Sequence, residues 1–265
     1  MPLRTVTMDE LTIVDEADFA HVAEYAKLKR SLRASSHRFR VPAEGTQLSW
    51  DRALFLNLTF WNAKETTDVL CETHVPADTI AHVAWHCLAG PQLERLVSKN
   101  DTAAPSAAAL LFAESIASAF DLYLVGRLLR NVPDSNFIES QVPIMAEAAS
   151  EAGLSEGGFE ALLESVVDDP ERAFEDLRAL LFDATRALSA CNGADEAELV
   201  FERFQTHRFE PLLHHYALST WVLYPRAHGS SSPAEERAVL ELDATLRAAP
   251  VALEWLIKHW VDSPD

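Results

Sequence analysis

The chain has 265 residues, with 22 Lys and Arg against 41 Asp and Glu, a formal net charge of -19, and 48% hydrophobic residues. That much apolar material excludes wholesale disorder, and a strongly negative surface excludes a general nucleic-acid binder, because phosphate would be repelled over most of it. Eight glycines are too few for a fold of tight hairpins or Gly-rich phosphate loops, and the richness in Ala and Leu favours helix.

In chain order, residues Asp15 to Arg33 have acids first and basics last, which suits a helix dipole. Residues Lys27 to Arg40 hold six basic side chains and no acid, a basic edge expected to lie against the acidic body. The first segment lacks an apolar stretch behind a basic start, so no secretory signal is expected. Ser49 can cap a helix from Trp50 to Leu70, and Pro76 suits the first turn of a helix ending near Gly90. The run from Thr102 to Gly126 is long enough to span a bilayer, but Glu114 and Asp121 inside it favour a buried helix, Ser106 to Arg130, of a soluble protein. Residues 137–152 read as a short helix interrupted or started at Pro143. Gly153, Gly157 and Gly158 form a hinge.

Beyond the hinge, residues 151–200 carry 13 acids and three arginines, a net of 3 − 13 = −10. Asp169-Pro170-Glu171 has the look of an aspartate-rich metal motif, but an N-cap followed by Pro at the first helical position explains it more simply. Pro211 starts a helix to Tyr224, Ser232-Pro233-Ala234-Glu235 forms a capping box opening one to Arg247, and Pro250 opens a last one bearing Trp255 and Trp260. The expected fold is all-α: a single bundle of about eight helices around a central buried helix, 106–130. Residues 1–45 form an N-terminal helix and basic arm, and 46–265 form the bundle. Three cysteines (Cys71, Cys87 and Cys191) without paired spacing fit a reducing, cytoplasmic setting.

The informative residues are ionisable groups on otherwise apolar helices. Glu114 and Asp121 are seven apart and share one helical face, about 10 Å apart along the axis. Buried carboxylates need a cation, a metal or several donors. Asp78, His82 and His86 follow at i, i+4, i+8 on the helix before, a stripe able to place two imidazoles on one ion. Asn57, Trp61, Glu65 and Asp68 form a further stripe. His207, Glu210 and His214 form another, which Pro211 weakens in favour of His214 and His215.

The candidate metal ligands are therefore His82, His86, Glu114, Asp78, Glu65 and His214, with Glu114 and Asp121 as candidate catalytic groups and Trp61, Trp85 and Phe120 as pocket walls. A metal site, a hydrogen-bonded core network and a metal-free pocket all fit this pattern. The Glu-x-x-His pairs of diiron-carboxylate bundles are missing from the core-like helices, as are the nucleophile-elbow, dinucleotide, P-loop, HExxH, EF-hand and zinc-deaminase signatures. Two functions follow. One is an enzyme using iron, or another divalent metal, to oxidise a small-molecule or peptide substrate with dioxygen. The other is an acidic helical protein that binds a basic protein partner through residues 151–200. Neither nucleic acid nor a membrane is an expected partner.

Overall fold

The computed structural model describes residues 3–43, 67–70, 72–95, 105–229 and 233–262. Contrary to the all-helical expectation for the N-terminal quarter, the chain opens with short strands. Strand β1 (Leu3–Thr7) is followed by a 3-10 turn, strand β2 (Thr12–Val14), a second 3-10 turn (Glu16–Phe19) and helix α1 (Ala23–Ala34). Strand β3 (Arg38–Pro42) pairs antiparallel with β1, joining Leu3 to Pro42 and Thr7 to Arg38. Strand β4 (Thr67–Val69) pairs parallel with β3, and strand β5 (His74–Pro76) pairs parallel with β2. The expected helix Trp50–Leu70 lies largely outside the described residues, but its last turn is corrected, since 67–69 are β4.

The basic stretch is partly neutralised where it lies. Lys27 bonds Asp262 of the C-terminal turn at 2.7 Å, Lys29 meets Glu16, and Arg33 sits 3.1 Å from Asp9.

Helix α2 (Ala77–Arg95) begins where Asp15 accepts a 3.0 Å hydrogen bond from the Ala77 amide, and it runs on through Gly90 and Pro91 rather than stopping there. Helix α3 (Ala107–Asn131) is capped by Ser106, whose Oγ accepts from Ala109 N at 3.2 Å. The Ser106 amide donates to Glu235 Oε2 at 2.9 Å, so the acid of the expected capping box reaches another helix's start. A helix apolar all round must be buried all round. The most apolar window of α3 is 89% buried inside the protein, which consumes the surface a bilayer would otherwise cover.

The remaining helices wrap this rod: α4 (Asn136–Glu151), α5 (Glu156–Asp168), α6 (Pro170–Ser189), α7 (Ala194–Glu202), α8 (Leu218–His228), α9 (Pro233–Ala248) and α10 (Ala252–Leu256), the last continuing into a π turn. All-α describes this body. Helix α4 passes through Pro143 unbroken. Asp169 caps α6 by accepting from Arg172 N at 3.0 Å, with Pro170 at the first position, so Asp169-Pro170-Glu171 is a helix start. The segment after Pro211 is no single helix: Glu210–Tyr216 is 3-10, and Ala217 turns left-handed before α8.

Helix α3 packs most extensively against α6, then against α2. Several acids of the −10 segment face arginines of the same chain: Glu171 meets Arg127, Asp176 meets Arg172 and Arg208, and Asp183 meets Arg247. Trp260 is buried against the core, so the terminal helix docks on the body.

Candidate metal centre

Helices α2 and α3 run antiparallel, because His82 meets Asp121 while His86, one turn later, meets Glu114, seven residues earlier. The apolar surfaces of both helices force them together, and the ionisable stripe of each is carried into the seam. His82 Nδ1 lies 2.9 Å from Asp121 Oδ2, His82 Nε2 is 3.6 Å from Glu114 Oε1, and His86 Nε2 is 3.1 Å from Glu114 Oε2. The two imidazoles meet edge to face at 4.8 Å between centroids. Ser118 donates to Glu114 Oε1 at 3.3 Å.

One ligand atom each from His82, His86 and Glu114 lie within 4.8 Å of one another, and the three could hold a metal ion. With metal–ligand bonds of about 2.1 Å, neighbouring donors sit about 3.0 Å apart in an octahedron and about 3.4 Å apart in a tetrahedron. The two carboxylate-to-imidazole distances, 3.1 and 3.6 Å, lie close to those separations. Two nitrogens and a carboxylate oxygen suit zinc or iron, not the all-oxygen shells of calcium.

The charges are mutually supporting. Burial pulls His82 down, but the charge and hydrogen bond of Asp121, joined by those of Glu114, outweigh it and hold the ring well above its ordinary value. Burial pushes Glu114 up, and the two histidines more than reverse it, leaving the carboxyl well below the usual range.

The other sequence-predicted residues scatter. Asp78 stays on the stripe one turn before His82 but outside the three-residue group, its carboxyl pushed up to about 7 by burial and by the charges of Asp121 and Asp15. Asp121 is not in the group either; it orients His82. Glu65 and Trp61 lie outside the described residues, as does the side chain of Asp68. His214 is exposed, stacked on Phe201 at 5.4 Å, and not in the three-residue group. His207 accepts from the Phe209 amide at 3.2 Å. Trp85 and Phe120 pack on each other at 5.6 Å as core, and Tyr123, also core, donates to Glu24 at 2.8 Å.

Of the two histidines favoured after Pro211, His215 is the one the structure turns towards the interior. It is half-buried and feels the charge of Asp121, as does its neighbour Tyr216.

No protein-family model, no curated protein and no solved structure matches this chain.

Proposed function

We propose that this protein is a metal-dependent enzyme whose ion is held by His82 Nε2, His86 Nε2 and Glu114, with Asp121 fixing His82. The observation that carries the reading is the convergence of those three donor atoms in a seam between apolar helices. A donor set of two histidines and one carboxylate leaves positions open for other molecules, which is the arrangement iron uses to bind dioxygen. The reaction class is oxidation of a small organic or peptide substrate, with both oxygen atoms delivered to it so that no separate reductant is needed.

The same geometry supports a second reading, because His82 lies between two carboxylates that hold it protonated. In that reading the ring is the cation of a structural network. Elemental analysis of untagged protein purified without chelator separates the two. Stoichiometric iron, lost in His82→Ala and Glu114→Ala variants that keep the wild-type circular dichroism spectrum, is the expected result. Stoichiometric zinc would replace the oxidative chemistry with hydrolysis. Protein that folds without metal and takes up neither iron nor zinc on titration would leave the structural network as the reading.

A further inference from the structure

Exposure across the cluster falls in one direction. The side chains of Asp121 and His82 are 31% and 22% exposed, whereas those of Glu114 and His86 are 10% exposed. A molecule approaching the centre therefore meets Asp121 first. Its Oδ2 is committed to His82, while its Oδ1 is buried and has no hydrogen-bond partner among the described residues. His215, within the field of Asp121, has its Nδ1 in the same condition. Buried polar atoms are nearly always paired in folded proteins, so an orphan on Asp121 at the exposed side of the cluster, with a second on the ring that feels its charge, points to a ligand.

Burial disfavours the imidazolium form of His215, and a neutral ring offers a lone pair. Asp121 Oδ1 accepts only. Each orphan atom is therefore an acceptor for an N–H donor. Tyr216, edge-on to His215 at 4.8 Å between centroids, adds an aromatic ring beside them. Asp78, Glu114 and Asp121 bring up to three negative charges against the two of a divalent ion, a balance that attracts a cation and repels a carboxylate.

We propose that Asp121 Oδ1 and His215 Nδ1 form a subsite for the ammonium group of a small primary amine, placed at the open side of the metal centre. The subsite rests on the metal-enzyme reading for its place in a reaction, but its two acceptor atoms belong to the protein with or without the ion.

The test is calorimetric titration of the iron-loaded and the chelator-treated protein with propylammonium, propionate and propanol. Propylammonium is expected to bind both forms, and propionate neither. His215→Ala, with His215→Gln as a second variant of closer size, is expected to weaken propylammonium at least tenfold while metal content stays at the wild-type level. Loaded metal with no propylammonium binding would overturn the subsite alone, as would propionate or propanol binding as tightly as the amine, or both variants binding it like the wild type. Retained amine binding in a protein that takes up no metal would uphold the subsite and overturn the metal reading.

Discussion

Asp121 holds His82 by its Nδ1 at 2.9 Å, which leaves the Nε2 edge of the ring turned to Glu114. This is how a carboxylate selects the tautomer of a metal-binding histidine, by accepting the proton on the nitrogen the metal does not use. Asp121→Asn keeps the shape and lowers the basicity of the acceptor. Iron or zinc affinity, measured by competition with a chelator, is expected to fall about 10- to 100-fold, the usual effect of losing such a partner. Unchanged affinity would mean that Asp121 does not position the ring.

How much of this was legible depends on the range of the interactions involved. Helix α3 could be read because its apolar run and the Ser106 cap are local, and the His82/His86 stripe because four residues return to one face of any α-helix. The strands could not: β2, β4 and β5 have three residues each, too few for a period, and their pairing joins residues some sixty positions apart in β2–β5 (Thr12 with His74). The spacing favours His214 and His215 together over His207 and does not separate the two, because it takes the segment after Pro211 for α-helix. The Glu210–Tyr216 segment is 3-10, which advances each residue further round the axis and leaves His214 exposed and His215 half-buried.

Asp78 gives the metal-free protein a pH dependence whose sign can be stated. Its carboxyl is pushed up to about 7, chiefly by burial, whereas an unfolded aspartate titrates near about 4. Between those values the folded chain holds a proton that the unfolded chain has released, so stability is lost as pH rises and the full penalty stands above the folded value. The upper bound is about 4 kcal/mol at about 1.4 kcal/mol per unit. Asp78→Asn removes the penalty. In chelator-treated protein, the Tm of the variant relative to wild type is expected to rise between about pH 5 and about pH 8. A difference that is flat or falling would show that Asp78 ionises freely.

Arg178 on α6 is wholly buried, and its guanidinium is held on two sides. Nε and Nη2 each donate to Glu175 at 2.7 Å, and Nη1 donates to Asp243 of α9 at 2.9 Å, above the Phe112 ring. Arg247 holds the other oxygen of Asp243 at 2.8 Å. Removing the central cation leaves two carboxylates facing the core, so Arg178→Ala is expected to cost about 3–5 kcal/mol in urea unfolding. Arg178→Lys keeps the charge but loses the fork, and it should recover only part of that. A loss under about 1 kcal/mol for the alanine variant would mean that α9 is held to α6 by apolar packing instead.

Two helical glycines should respond to alanine in opposite ways, for a reason visible at each. A Cβ at Gly126 would stand 2.6 Å from the Val166 carbonyl oxygen and 3.2 Å from Pro170 Cβ, so the corner between α5 and α6 would have to move away from α3. Backbone cannot step aside as a side-chain end can, and overpacking of this kind costs about 1–3 kcal/mol, more than the gain of about 1 kcal/mol from better helix propensity. At Gly90, within α2, no described residue lies within 4 Å of the added carbon. There the propensity gain stands alone, and Gly90→Ala should stabilise by up to about 1 kcal/mol. Paired urea melts give the answer. If Gly126→Ala were neutral, the close crossing of α3 and α5 would not depend on the missing methyl group; if Gly90→Ala destabilised, α2 would not continue as regular helix through that position.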